Sequence, residues 1–229
     1  MKKLISLLLT AIIVFSFVSF AEEAAPVVYV SITDDTGALV LAYAPVAMSD
    51  ADADGALTIG DALTLAHAEY HEAGADAFSC VPTEYGLSLM KLWNVENGGS
   101  YGYCLNNASA MSLSDAVQAG DHVKVYAYTD LDTWSDTYSY FSSDTLSAVK
   151  GSEITLTLSA NGYDASWNPV TFPVSGANIT VNGEATEIIT GEDGAFTLVL
   201  SEAGAYVISA SGSDMTLVTP VCIIEITEG

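Results

Sequence analysis

Arginine is absent from the chain, and its 5 lysines stand against 29 aspartates and glutamates, a formal net charge of −24 over 229 residues. So acidic a surface repels the phosphates of nucleic acid and anionic membrane surfaces, and it lacks the cationic clamps that phosphoryl transfer uses. Cations are its natural counterparts. Cysteine is scarce too: Cys80, Cys104 and Cys222 are 3 in number and cannot all pair internally. Two readings stand for them, one Cys80–Cys104 bridge or three buried thiols packed as small hydrophobes. Histidine is limited to His67, His71 and His122, and no spacing gives a cysteine nucleophile a base. A serine-centred elbow, a phosphate loop and a dinucleotide motif are also missing. Hydrophobic residues nevertheless make up 50% of the chain, enough to bury one or two cores and too many for disorder.

The first residues set the expected compartment. Met1-Lys2-Lys3 precedes an apolar, uncharged run from Leu4 to Val18, then Ser19-Phe20-Ala21 and the acidic Glu22-Glu23. A charged start, an apolar middle and small residues before the break read as a secretory signal peptide, residues 1–21, cleaved after Ala21. A retained membrane anchor is the competing reading. Cleavage leaves 3 lysines against 29 carboxylates, a balance of −26. No cysteine follows the apolar run, and Glu225 to Gly229 carries no sorting motif. The mature protein is therefore expected outside the cell, with any hold on the cell surface non-covalent.

Texture changes at Thr145 to Gly151, read as a linker between residues 27–145 and 148–229. In the second part Ile154 to Leu158, Ile179 to Val181, Phe196 to Leu200, Tyr206 to Ala210 and Ile223 to Ile226 alternate as strands. Turns at Asn182-Gly183 and Asp193-Gly194 separate them, predicting an all-β antiparallel sandwich. The stretches Pro173 to Gly183, Thr190 to Leu198 and Glu202 to Ile208 resemble the bacterial immunoglobulin-like repeats of surface proteins, which implies a spacer or adhesive unit. The Lys–Asn crosslink of some such repeats is not expected, since Lys150 precedes the first strand and the last offers Glu225.

The first part mixes strands at Val27 to Ile32, Leu39 to Tyr43, Leu87 to Trp93, Tyr101 to Leu105 and Val123 to Tyr128 with one helix, an α+β pattern. The helix is predicted over Ile59 to Ala73, because Ile59, Leu63, Ala66 and Tyr70 recur on one face and Gly74 supplies a stop. Ahead of it, Asp50-Ala-Asp52-Ala-Asp54-Gly55-Ala56-Leu57-Thr58-Ile59-Gly60-Asp61 matches the twelve-residue EF-hand calcium loop. Asp50, Asp52 and Asp54 offer carboxylates, Gly55 the sharp turn, Ala56 a carbonyl, Thr58 a hydroxyl or a bridging water, and Asp61 the closing ligand. Leu57 is expected to pack inward. The competing reading is an acidic turn in which Asp61 serves the helix N-terminus. Pro45 precludes a helix before the loop, so a paired-helix sensor is not expected. The loop resembles the half-site loops of dockerin-like and other extracellular bacterial modules, in which calcium fixes the helix; there is one copy here, where a dockerin has two.

Gly98 to Asn106, Leu113 to Val117 and Ala119 to Tyr126 resemble the transcobalamin-like C-terminal domain of bacterial exported proteins. That resemblance implies a β-grasp-like fold over residues 27–141, with corrinoid binding as one alternative function. Asn107 stands where the family's turn has glycine. His67 and His71 are spaced for zinc, yet Ala68 occupies the place of a protease glutamate, so His67 is expected beside Leu63 and His71 in water. Trp134, Tyr138 and Tyr140, near Asp130, Asp132 and Asp136, form a possible ligand surface for sugar rings or a protein. The competing reading places these aromatics in the core and those acids in a solvated turn. The sequence thus predicts a secreted, calcium-stabilised binding or adhesion module without catalytic activity, whose partner is an extracellular protein or glycan. The alternative is an accessory module or fragment of a carbohydrate-active enzyme.

Overall fold

The computed structural model describes residues 25–212 and 214–229; the expected signal peptide lies outside them. Among the described residues no helix is long and apolar enough to cross a membrane.

Strands β1 (Val27–Thr33) and β2 (Leu39–Ala47) form a hairpin whose turn is organised by Asp34, its Oδ1 accepting the N–H groups of Thr36 and Ala38. Helix α1 (Ile59–Tyr70) follows, then a separate hairpin of β3 (Ser79–Thr83) and β4 (Gly86–Lys91). With β5 (Tyr101–Leu105), β6 (Ala108–Ser109) and β7 (His122–Ala127) the sheet order becomes β2-β1-β7-β5-β6. Strands β1 and β7 run parallel, and the other neighbours antiparallel. Ile59, Leu63 and Ala66 of the helix are fully buried in one core with Val28, Val30 and Ile32. The helix ends at Tyr70, short of the expected Ala73, and Gly74 enters a 3-10 turn at φ +60°. Tyr70 closes the apolar stripe half in water, its hydroxyl donating to the Pro45 carbonyl at 2.6 Å.

The second module contains β8 (Thr137–Phe141), β9 (Thr145–Val149), β10 (Glu153–Tyr163), β11 (Pro169–Pro173), β12 (Asn178–Val181), β13 (Glu184–Ile189), β14 (Ala195–Val199), β15 (Gly204–Ser211), β16 (Leu217–Val218) and β17 (Cys222–Thr227). One sheet runs β11-β10-β8-β16 with β14 also paired to β10, the other β13-β12-β15-β17-β9. Ile154, Leu156 and Leu158 of β10 meet Ile224 and Ile226 of β17 in a single core, as alternation requires of an all-β sandwich.

The pairing moves the expected boundary. Residues 145–149 are not linker but β9, parallel to β17, and β8 before them pairs with β10. The sandwich therefore begins at Thr137. Strand β9 alternates exposed Thr145 and Ser147 with half-buried Leu146 and Ala148, the signature of an edge strand one face of which meets a core.

The modules also share contacts. Cys104 and Tyr126 of the first pack with Tyr138 and Val218 of the second, and the Thr219 hydroxyl donates to the Gly37 carbonyl at 2.6 Å. All three cysteines are free thiols. The Cys80–Cys104 bridge does not form because Cys80 packs on the helix-bearing core while Cys104 faces the junction cluster. Burial pushes the Cys104 thiol up to about 11 and the Cys222 thiol to about 12, so neither is a ready thiolate.

Candidate functional site

Between β2 and α1 the acidic loop brings one carboxylate oxygen each from Asp50, Asp52 and Asp54 within 4.8 Å of one another, all three residues being exposed. Gly55, at φ +92°, and Ala53, at φ +61°, provide the left-handed turns. The N–H groups of Asp54 and Gly55 donate to Asp50 at 3.1 and 2.8 Å, and that of Ala56 donates to Asp54 at 2.8 Å. Desolvation and then the neighbouring carboxylates Asp54, Asp61 and Asp50 raise the Asp52 pKa. An all-oxygen, anionic donor set of this kind suits a hard divalent cation.

Asp61 is placed differently. It is 2% exposed, and its Oδ1 accepts from the Ala51 N–H at 2.8 Å. Its Oδ2 accepts from the N–H and hydroxyl of Thr58 at 2.9 and 2.8 Å, while the Thr58 hydroxyl accepts from the Asp61 N–H at 3.2 Å. That reciprocal pair is a capping box closing the N-terminus of α1. Of the six expected ligands, three acids converge, Thr58 and Asp61 serve the helix, and Ala56 is exposed between the two groups. Leu57 packs on the first core as expected.

A cleft of about 800 Å³ opens where the modules meet. Tyr126, Tyr128 and Trp134 line it from the first module and the following loop, Tyr138, Tyr163 and Phe172 from the second. Trp134 is 63% exposed at φ +51°, its N–H donating to the Asp130 carbonyl. The Asp130 carboxylate accepts from the hydroxyls of Thr133 and Ser135 and the N–H groups of Thr133 and Asp132, and these bonds hold it well below the usual carboxylate range. Asp136 accepts from the Thr129 N–H and hydroxyl and the Asp130 N–H. Asp130 and Asp136 thus organise the loop that presents Trp134. Of the expected ligand surface, Trp134 and Tyr138 line the cleft and Tyr140 does not. Tyr138 is nearly buried, its hydroxyl donating to Asn107 Oδ1 at 2.9 Å. Tyr163 and Phe172, from the β10–β11 hairpin, were not legible as cleft residues, because nothing local ties that hairpin to Trp134.

A largely buried polar chain links the two modules. Ser31 Oγ is 2.8 Å from His122 Nε2, and His122 Nδ1 is 3.1 Å from Asp144 Oδ2. Lys124 Nζ donates to Asp144 Oδ1 at 2.8 Å and to Asn107 Oδ1 at 2.6 Å. The serine–imidazole–carboxylate order is that of a hydrolase triad. Ser31 and His122 are 4% and 2% exposed, however, and the edge-on Tyr43 ring covers the imidazole at 4.6 Å, so an acyl group has no path to the hydroxyl. The chain pins one module to the other instead. Burial pushes the Asp144 carboxyl up, but the His122 hydrogen bond and the Lys124 charge outweigh it and hold the group at about 2. Burial lowers the Lys124 and His122 pKa values, against the pull of Asp144.

His67, which the spacing offers to zinc, has both ring nitrogens engaged: Nδ1 lies 2.6 Å from the Leu63 carbonyl, and Nε2 accepts from the Trp93 N–H at 3.0 Å. His71 is half-buried edge-on to Trp93 at 4.8 Å rather than in open water.

No protein-family model matches the chain. No curated protein matches it. Among solved structures it is similar to the N-terminal four Ig domains of Dscam1 isoform 6.9, at 9% identity and TM-score 0.25, over 65% of this chain and 32% of that one. For isoform 8.4 the figures are 10%, 0.27, 66% and 32%. The chain thus spans about a third of the length of these structures, and so loose a likeness supports no inference about partners or activity.

Proposed function

We propose that the protein is a secreted, extracellular binding module without catalytic activity, in which calcium fixes the acidic loop and the cleft between the modules takes the ligand. The observation that carries this reading is the cleft itself: exposed Trp134 and Tyr163 face a space walled by both modules, where apolar surface has no structural duty. A β-grasp-like first module is supported by the hairpin, helix crossover and central parallel pair of its sheet, and an immunoglobulin-like second module by its two facing antiparallel-rich sheets. Calcium is supported by the three convergent carboxylates. The test is to display residues 22–229 to arrays of extracellular proteins and of glycans in millimolar calcium. Retention that Trp134→Ala and Tyr163→Ala each abolish is expected. Retention untouched by both variants, or steady release of a cleaved product, overturns it.

A further inference from the structure

The walls of the cleft carry chemistry that narrows its ligand. Among the described residues no lysine or histidine lines it, and the chain has no arginine. The three described lysines are engaged elsewhere, Lys124 with Asp144, Lys150 with Glu228 and Lys91 with the Asp76 carbonyl. The exposed aromatics Trp134 and Tyr163 instead have carboxylates close to them in sequence, Asp130 and Asp164, and Asp136 lies in the wall itself. Tyr163, 67% exposed, is backed by the Trp167 ring at 6.1 Å. Asp164 accepts from the N–H groups of Ser166 and Asn168 at 2.8 and 2.9 Å. Bonds from Asn168 and Ser166 hold it below the usual carboxylate range, so it stays ionised, as Asp130 does.

Several polar side chains of the walls are engaged within the protein, leaving chiefly the Trp134 indole and the Tyr163 hydroxyl open. Asn161 donates to the Asn107 carbonyl and accepts from Thr171, Ser135 donates to Asp130, and Thr137 donates to the Ser135 carbonyl. Asp136 holds the loop backbone with both oxygens. A sugar would find few free hydrogen-bonding partners here beyond the Trp134 indole and the Tyr163 hydroxyl, and stacking alone leaves most of its hydroxyls unsatisfied. A cation needs ring faces, which Trp134 and Tyr163 offer, and surrounding negative charge, which the wall residue Asp136 and the net charge of −24 supply.

We infer that the cleft takes an arginine- or lysine-bearing segment of a partner protein, its cationic heads seated on Trp134 and Tyr163. The inference rests on the binding-module reading and narrows it. Arginine is the stronger fit, because its planar, weakly hydrated guanidinium stacks on aromatic faces.

The test is calorimetric titration of residues 22–229, in 5 mM calcium so that the acidic loop is screened, with three probes. These are an acetylated, amidated peptide of alternating glycine and arginine, the same peptide with neutral citrulline for arginine, and cellohexaose. Expected is affinity for the arginine peptide about tenfold above the citrulline one, a similar loss in Trp134→Ala or Tyr163→Ala, and weakening with salt. Equal affinity of the two peptides overturns the inference, as does arginine binding that neither variant disturbs. Cellohexaose binding lost in Trp134→Ala overturns it while leaving the binding-module reading standing. Silence from all three probes overturns it too, and the protein and glycan arrays then decide the broader reading separately.

Discussion

Asp144 and the trio Asp50, Asp52 and Asp54 face one problem in opposite ways. In a chain of net charge −24, a carboxylate held close to others or taken out of water needs a cation or a full set of hydrogen-bond donors. At the module junction the protein supplies its own, for Lys124 and His122 both contact Asp144. In the loop no described lysine makes an ion pair, and three exposed carboxylates have backbone N–H groups as partners and one another as neighbours. The junction is thus complete as folded, whereas the loop, on the proposed reading, is completed by a cation from outside. The first should be indifferent to the medium's calcium and the second governed by it.

Removing the internal cation's partner should have the largest effect. Asp144→Ala leaves the Lys124 ammonium buried with the Asn107 oxygen alone, and breaking a buried pair from one side costs about 3–5 kcal/mol. Urea unfolding at pH 7 measures it, and adding Lys124→Met should recover much of the loss. A cost under about 1 kcal/mol would mean the junction is no better neutralised than a surface pair.

Acid attacks the buried side next. Burial chiefly lowers the His67 pKa, from 6.5 to about 4, so below pH 6.5 the unfolded chain binds a proton that the folded one refuses. Stability is then lost as pH falls from about 6.5 to 4, by up to about 3 kcal/mol. The lowered pKa of His122 acts in the same direction. Asp144, held at about 2 against 3.8, takes over below about pH 4 with the same sign. Stability curves at pH 7, 5.5 and 4.5 should show the first loss, and His67→Gln should flatten it while lowering the pH 7 value. A flat wild-type profile would remove His67 from the account.

Legibility in the sequence divides along a related line. Strands whose alternation is local, such as Ile154 to Leu158 and Tyr206 to Ala210, lie where the pattern places them. Strands β8 and β9 escaped, because Tyr138, Tyr140 and Phe141 read as a core face or an exposed platform without revealing a partner, and their partners lie far along the chain. The loop was legible by spacing. Its split was not, since Thr58 and Asp61 satisfy a calcium template and a capping box with the same two residues. One residue on each side of the cleft, Trp134 and Tyr138, was legible; that Tyr163 and Phe172 join them depends on how the two modules dock, which no local period encodes.

The smallest of these effects tests the exposed side. If the trio needs an external cation, calcium at a hundred times its dissociation constant should add about 2.7 kcal/mol. At roughly 10⁻⁴ to 10⁻³ M affinity, typical of extracellular modules, that requires tens of millimolar. Asp50→Ala should abolish the gain, since it removes a carboxylate that also receives the Asp54 and Gly55 N–H groups. Asp61→Asn separates the two halves of the loop. As a capping group Asp61 should cost about 1 kcal/mol in chelator and in calcium alike, whereas as a ligand its loss would erase the calcium gain and spare the chelated protein. Asp144→Ala should shift both baselines and leave the calcium increment unchanged, because its cation is internal. A melting temperature that does not move between chelator and 50 mM calcium would overturn the calcium reading and reduce the loop to a helix cap.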